Sequence, residues 1–295
     1  MQAKYMVIAG ASSVGKTDLA FKAAQELQTE IVGADAFQIY QGLDILTAKP
    51  ASSQLQSLKH HLISLIPLTQ TFDAYQYASH ARQTICALNQ RGIIPLVVGG
   101  TGFYLHALEK SFPSLPAADK SLRAELEQRP THALLKELGA RDALAFSRID
   151  QQNRRRVIRA LEVCIISGKT FSSFLKDALP VLTVPRLFLE RPRAILIERI
   201  NKRVSQMFAD GLLQEVAAVE TIGPTASQAI GFSLIRSLLE GRIDEHTCRE
   251  AICQQTRQYA KRQCTWFRRQ PYDFVSAESS LEYVIATYRR HFLDS

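Results

Sequence analysis

The chain has 295 residues, which is enough for one large or two modest domains with a substantial buried core. Its formal net charge of +8 favours a polyanionic partner, although charge alone does not separate a nucleic acid from an acidic surface. Five cysteines without a C-x-x-C pair argue against a disulfide framework. Because the sequence has neither a signal-like N-terminus nor an apolar run of roughly 20 residues, we expect a cytoplasmic protein with no membrane partner.

The first predicted elements are a strand, a glycine-hinged loop and a helix. An apolar run, Tyr5–Ala9, leads into Gly-Ala-Ser-Ser-Val-Gly-Lys-Thr at 10–17 and then into the helix-like segment Asp18–Leu27. Such a loop lets successive amide N–H groups point at an anion beside the positive helix N-terminus. The pattern predicts a phosphate-binding loop typical of ATP-binding proteins, in which Lys16 contacts the terminal phosphate and Thr17 holds Mg²⁺. A purely steric turn leaves the Lys-Thr pair unexplained. The expected diphosphate-binding residues are Gly10, Ser12, Ser13, Val14, Gly15, Lys16 and Thr17.

The next two predicted strands end differently. Glu30–Asp35 is predicted to be the second strand, with Asp35 at the mouth of the site and Gln38 one helical turn later. The most apolar strand, Ile93–Val98, ends in Gly-Gly-Thr-Gly at 99–102 and not in an acid. A nucleotide hydrolase usually needs an acid there, whereas glycines and a threonine hydroxyl suit close approach of a diphosphate. For Asp35 a helix cap or a magnesium ligand, and for the glycines a plain turn, are open alternatives.

The composition changes after the third predicted strand. Phe112–Pro116 interrupts the pattern, and residues 119–179 are helical, charged and poor in strand signals. A strand is predicted again at Arg186–Glu190, followed by the amphipathic helices Ile195–Val219 and Glu245–Phe267. Alternating strands and helices around a phosphate loop predict an α/β fold with a mostly parallel sheet flanked by helices. The predicted domains are a core of residues 1–118 and 180–295 and an inserted helical domain of residues 119–179.

Basic residues form two clusters along the predicted helices. One includes Arg154, Arg155, Arg156 and Arg159, and the other includes Arg257, Lys261, Arg262, Arg268 and Arg269, interleaved with Tyr259, Trp266 and Phe267. Solvated helix faces with aromatic residues turned to a core are the common alternative. Two basic clusters beside a phosphate-loop domain favour contact with a nucleic acid backbone.

Four longer strings carry a resemblance to a known family. They are residues 31–50, 60–63, 95–105 and 256–268, of which the last is the most specific. Together they resemble the tRNA dimethylallyltransferase (isopentenyltransferase) family over nearly the whole chain. The chain departs from the family pattern at Ala11-Ser12, where Pro-Thr is usual, and at Ala36, where Ser is usual. It also has Asp150–Asn153 where a His-Pro-Asn-Asp type run is usual, close to an expected RNA contact.

The resemblance implies a P-loop NTPase-like fold and a prenyl transfer. The family moves a dimethylallyl group from dimethylallyl diphosphate to N6 of adenosine 37 of tRNA, next to the anticodon, with Mg²⁺ as cofactor; we expect a monomer. Asp35 is then the candidate base that takes the N6 proton. Thr101 and Arg203 are the candidates that stabilise the departing diphosphate together with Lys16, since an arginine fork suits a diphosphate. Arg203 lies in the segment Arg199–Met207, which resembles the family's diphosphate-binding segment.

The resemblance also implies a set of RNA-binding residues. The target base leaves its stack to reach the site, and Gln38 then reads the adenine edge. The expected set is Asp35, Ala36, Phe37, Gln38, Thr101, Arg123, Arg154, Arg155, Arg156, Val157, Arg257, Lys261 and Arg262. A small-molecule kinase, a non-catalytic RNA-binding protein and a prenyltransferase acting on free AMP are the alternatives. The basic insertion is more than a mononucleotide substrate requires.

Overall fold

A computed structural model of the chain describes residues 3–109, 115–174 and 184–294. Its internal contacts divide the chain into two units, one of residues 1–109 and 182–295 and one of residues 110–181. The first unit contains the sheet, and the second is helical in its described part. Most of Phe112–Pro116 and the predicted boundary at residue 180 lie outside the described residues.

Six parallel strands form the sheet of the first unit, in the order β3-β2-β4-β1-β5-β6. The strands are β1 (Met6–Gly10), β2 (Ile31–Gly33), β3 (His60–His61), β4 (Leu96–Gly99), β5 (Arg186–Glu190) and β6 (Asp273–Ser276). Every residue of β1 is buried, and successive side chains of a strand point to opposite faces, so both faces of the sheet are covered there. The predicted α/β class with a parallel sheet is confirmed.

The described ranges contain fourteen helices. They are α1 (Lys16–Glu26), α2 (Ser52–Ser57), α3 (Ala74–Gln90), α4 (Gly102–Glu109), α5 (Lys120–Gln128), α6 (Thr131–Arg141), α7 (Ala143–Arg148), α8 (Arg154–Ser167), α9 (Phe171–Phe174), α10 (Arg193–Ala209), α11 (Leu212–Ala217), α12 (Phe232–Leu239), α13 (Glu245–Phe267) and α14 (Ser280–Phe292). In the described part of the chain, none of them is long and apolar enough to span a lipid bilayer.

Several boundaries have clear local causes. Asp73 begins α3 with a capping box, because its carboxylate accepts the Gln76 N–H at 2.9 Å while Gln76 accepts the Asp73 N–H at 3.1 Å. The predicted helix Glu245–Phe267 is confirmed as α13. The single helix predicted over Ile195–Val219 is wrong, since Gly211, with a φ of 98°, ends α10 and starts α11.

The second unit packs α5 to α9 around its own apolar core, which contains Leu126, Leu134 and Leu138. One carboxylate, that of Glu162, is fully buried among these helices. Its Oε2 accepts hydrogen bonds from Arg123 at 2.6 Å and Arg159 at 2.7 Å, so the buried charge is paired with two arginines. The second unit is therefore stabilised partly by Arg123, which the resemblance places among the RNA-binding residues, and by Arg159, which belongs to the first basic cluster.

Candidate active site

The phosphate loop joins β1 to α1 at the carboxyl edge of the sheet. Gly15 adopts the left-handed region with a φ of 107° and precedes the first residue of α1. A side chain on Gly10 would crowd Val14, whose Cγ1 lies 2.9 Å from the position of such a Cβ. Two glycines thus permit the turn that directs the loop's amide groups, as the sequence predicts for an anion cradle.

Lys16 lies across its own loop. Its Nζ donates to the carbonyl oxygens of Gly10 and Ala11, each at 2.8 Å. An ammonium group has three protons, so one donor is left for a ligand. Burial lowers the pKa of Lys16 to about 8, against the opposing field of Asp35, while Arg203 lowers it further. The loop therefore holds an enclosed lysine that a bound anion would favour in its charged form.

Asp35 follows β2 and faces the same space. Its Oδ1 accepts the N–H groups of Phe37 at 2.9 Å and Gln38 at 3.3 Å, which makes Asp35 the cap of the short turn that follows. Among the described residues no hydrogen bond reaches Oδ2. The capping alternative therefore occupies one oxygen only, and the other is available to a proton or a ligand.

Thr101 and Gln38 bind backbone groups that follow Asp35 in the chain. Thr101 Oγ1 accepts the Ala36 N–H at 3.0 Å, so the hydroxyl proton can be donated elsewhere. Gln38 Nε2 donates to the carbonyls of Thr47 at 3.1 Å and Ala48 at 2.9 Å. This amide supports the 43–48 loop, and its Oε1 is the group that remains for an adenine amine.

The glycine-rich loop after β4 is closely packed against other parts of the protein. A Cβ at Gly99, Gly100 or Gly102 would overlap with protein atoms, those of Ala34, Gln263 and Trp266 in turn. The glycines therefore allow close packing of the chain against β4 and α13, and close approach of a diphosphate to this loop stays a prediction. Thr101 sits between two of these packed glycines.

Gln263 of α13 connects this loop to the phosphate loop. It is 6% exposed, and its Oε1 accepts the Ser12 N–H at 2.9 Å while its Nε2 donates to Gly100 O at 2.8 Å. Sequence reasoning missed Gln263, because its partners lie far away along the chain. It named Tyr259 only as an aromatic residue interleaved with the second basic cluster and did not place it in the site, although the positions 252, 256, 259 and 263 recur at the spacing of one helix face.

A cavity opens between these elements of the first unit. Its polar lining comprises Ser12, Asp35, Thr47, Arg203, Thr256 and Tyr259, and its apolar lining comprises Phe37, Leu46, Ile200, Val204, Met207, Ala229, Ile230 and Ile252. Burial raises the pKa of Tyr259 to about 12, with a smaller contribution from Asp35, so this phenol stays protonated at neutral pH. Burial likewise lowers the pKa of Arg203, and Asp35 opposes that shift. The cavity combines one cation, Arg203, and one carboxylate, Asp35, with an apolar wall.

The basic residues of the second unit differ in what they contact. Arg154 is engaged, since its guanidinium donates to Thr131 Oγ1 at 2.8 Å and to Glu127 O at 2.8 Å, where α5 ends. Val157 is fully buried in the core, so its side chain offers an RNA no surface. Arg155 and Arg156 are exposed and stay the candidates of this helix for RNA contact.

The basic residues of α13 lie mostly on its outer side. Lys261 and Arg262 are exposed, and both line a surface groove together with Trp266. Arg262 lies over the Tyr259 ring, with its guanidinium carbon 5.8 Å from the ring centre. Arg257 donates to Asn201 at 3.3 Å. The helix therefore presents charge on one side and the cavity-lining residues on another.

Fold and site together define the class of the protein. A parallel sheet with a G-x-x-x-x-G-K-T loop between β1 and α1 is the architecture of P-loop NTPase-like proteins. The family model described as IPP transferase matches residues 38–270. The chain belongs to this family, and the resemblance stated from its sequence is confirmed.

Individual relatives agree with this assignment. The tRNA dimethylallyltransferase of Bifidobacterium animalis subsp. lactis is 37% identical over 279 residues, covering 91% of this chain and 81% of that protein. That of Deinococcus radiodurans is 38% identical over 275 residues, covering 90% and 89%. The crystal structure of tRNA delta(2)-isopentenylpyrophosphate transferase from Staphylococcus epidermidis has a TM-score of 0.69 at 29% identity, covering 97% of this chain and 99% of that one. A eukaryotic dimethylallyltransferase acting on tRNA has a TM-score of 0.80 at 25% identity, covering 98% and 77%.

The lowered pKa of Lys16 predicts a specific dependence of stability on pH. Because the pKa falls from 10.5 to about 8 on folding, the unfolded chain binds more protons between these values, and the free energy of unfolding rises with pH there. We expect wild type to gain up to about 3 kcal/mol relative to Lys16→Met between about pH 8 and 10.5. Chemical denaturation at several pH values measures this difference. Lys22→Met, at an exposed lysine of α1, should show none; a constant offset for Lys16→Met contradicts the prediction.

Proposed function

We propose that this protein transfers a dimethylallyl group from dimethylallyl diphosphate to N6 of adenosine 37 in tRNA. The observation that carries the proposal is the cavity, in which Asp35 and Arg203 share a lining with an apolar wall beside Lys16. A diphosphate suits the cations, and a five-carbon allylic group suits the apolar side chains. The products are N6-(dimethylallyl)adenosine and diphosphate.

The acceptor nitrogen needs help because its lone pair is delocalised into the purine ring. In the proposed reaction N6 attacks the allylic carbon, the bond from that carbon to the diphosphate oxygen breaks, and the N6 proton passes to Asp35. Oδ2 is the proposed acceptor, since Oδ1 is committed to the Phe37 and Gln38 amides. A positioned base of this kind typically contributes about 10²–10⁴-fold in rate.

The departing diphosphate carries the charge that the site must stabilise. Lys16 has one uncommitted donor, and Arg203 supplies a fork that matches phosphate oxygens. The Thr101 hydroxyl, which accepts from Ala36, can donate its proton to a substrate oxygen. Thr17, at the start of α1, offers a hydroxyl oxygen of the kind that Mg²⁺ binds together with phosphate oxygens. When bound, Mg²⁺ would neutralise part of the diphosphate charge.

The tRNA side of the site rests on exposed cations and on adenine recognition. Arg155, Arg156, Lys261 and Arg262 are free to contact phosphates, whereas Arg154 is engaged within its own unit. The acceptor oxygen of Gln38 can take a hydrogen bond from an adenine amine once the base has left its stack. A kinase would share the phosphate loop but would place an acid at the end of a neighbouring strand, where β4 has Gly99.

A transfer assay tests the proposal directly. Purified protein, labelled dimethylallyl diphosphate, Mg²⁺ and tRNA, without ATP, should give label in tRNA and an equal amount of diphosphate. Transcripts in which guanosine replaces adenosine 37 should stay unlabelled, because guanine offers no N6 amine. Prenylation of AMP but not of tRNA would favour the adenylate alternative. Phosphoryl transfer from ATP to a small molecule would favour a kinase.

Replacing Asp35 by Asn distinguishes its three possible roles, which are general base, metal ligand and helix cap. The amide keeps an acceptor for the cap, so we expect a stability loss below about 1 kcal/mol. It is a poor base, so single-turnover transfer should fall by at least about 100-fold while diphosphate and tRNA still bind. Asp73→Asn, at a cap outside the cavity lining, is the matched control and should keep its activity. Recovery of turnover at high Mg²⁺ would instead make Asp35 a metal ligand.

The two kinds of arginine on α8 should respond differently to substitution. Arg155→Ala with Arg156→Ala should weaken tRNA binding and reduce the slope of log affinity against log salt by up to about 2, with an unchanged melting temperature. Arg154→Ala should lower the melting temperature, because it removes the hydrogen bonds at the end of α5. Fluorescence binding titrations across a salt series and thermal denaturation measure both effects. A wild-type slope for the double variant means that Arg155 and Arg156 do not contact RNA.

A further inference from the structure

Two arginines from outside the phosphate loop bind consecutive carbonyl groups of it. Arg199 Nε of α10 donates to Ser13 O at 2.7 Å, and Arg191 Nε, directly after β5, donates to Val14 O at 2.8 Å. Both side chains are partly buried. Arg191 also lies 3.7 Å from the carboxylate of Glu278, so its hydrogen bond to Val14 O is the shorter of the two contacts.

The loop segment that they hold is strained. Ser13 is a non-glycine residue with a φ of 63°, in the left-handed region that is sterically unfavourable for an L-residue. Its hydroxyl is buried and has no hydrogen-bond partner in the described part of the chain. Neither the backbone nor the side chain of Ser13 therefore favours this conformation by itself. The hydrogen bond from Arg199 to its carbonyl is a contact that does.

Holding a carbonyl also directs the next amide. In a planar trans peptide the C=O of one residue and the N–H of the next point in opposite directions. With Ser13 O bound by Arg199, the Val14 N–H points back toward Ala11 O, at 3.3 Å. With Val14 O bound by Arg191, the Gly15 N–H is directed away from Arg191, and among the described residues it has no acceptor. An inward N–H without an acceptor is what an anion cradle requires.

We propose that Arg191 and Arg199 are positioning residues that hold the phosphate loop in its diphosphate-binding conformation before the anion binds. They do so by fixing the Ser13–Val14 and Val14–Gly15 peptide planes. The inference rests on the proposed function for the identity of the anion. It assigns the two arginines to the outside of the loop, acting through its carbonyls, and leaves direct contact with the diphosphate to Lys16 and Arg203. Preorganisation of this kind increases affinity because the loop is not reordered on binding.

Binding of inorganic diphosphate, with Mg²⁺ present, tests the proposal without turnover. Calorimetric titration should show an affinity about tenfold lower for Arg199→Gln and for Arg191→Gln, the scale expected when a binding-competent loop conformation is less populated. Arg193→Gln removes the same charge at an exposed arginine of α10 and should bind like wild type. Wild-type affinity in both loop variants would overturn the proposal, as would an absence of diphosphate binding by wild type.

Two further readouts separate positioning from direct binding. A positioning role raises the KM for the donor while kcat at saturating substrates stays within about threefold, because bound donor itself orders the loop. Ser13→Gly relieves the left-handed strain, so added to Arg199→Gln it should recover at least half of the lost binding free energy. Failure of this rescue, or a loss mainly in kcat, would make Arg199 a direct ligand. If the proposed transfer activity fails instead, the diphosphate titrations of all variants still decide the loop inference.

Discussion

The arrangement of the site depends on one buried amide. Gln263 is enclosed, and an unsatisfied amide in such a position would cost about 1–3 kcal/mol, so both ends must find partners. They find Ser12 N in the phosphate loop and Gly100 O beside Thr101. This requirement fixes α13 against the carboxyl edge of the sheet and demands a glycine at 100, where a Cβ would overlap with the amide. One turn and two turns earlier in α13, respectively, Tyr259 and Thr256 then face the cavity.

The charges around the cavity explain why it suits an anion. Lys16 and Arg203 are both enclosed, and burial lowers the pKa of each, while Asp35 opposes both shifts. Two cations near one carboxylate leave an excess of positive charge at low solvent exposure. A bound diphosphate would remove that excess, and fixed cations of this kind are what stabilise charge that develops in a reaction.

Sequence patterns within single segments predicted the elements whose formation depends mainly on neighbouring residues. The phosphate loop, the strands around β1 and the helix α13 follow from glycine placement, apolar runs and periodicity. The functions of Gln263 and Arg154 did not, because the partners of Gln263 lie 163 and 251 residues away and Arg154 contacts a helix end 27 residues away. The glycines after β4 allow close approach of Ala34, Gln263 and Trp266, which are contacts that only the folded structure shows, and their predicted proximity to a diphosphate stays a prediction.

A cation on a helix serves a ligand only if the fold has not already used its donors. Arg123 and Arg159 neutralise the buried Glu162, and Arg154 satisfies carbonyls at the end of α5. Arg191 and Arg199 use their Nε groups on carbonyls of the phosphate loop. Arg154 and Arg159 lie in the same sequence cluster as the exposed Arg155 and Arg156. All five of these engaged arginines contribute to the net charge of +8, so net charge overstates the surface available to a polyanion. Counting the hydrogen-bond donors that each basic side chain has already used separates the residues that stabilise the fold and the site from those available to bind a substrate.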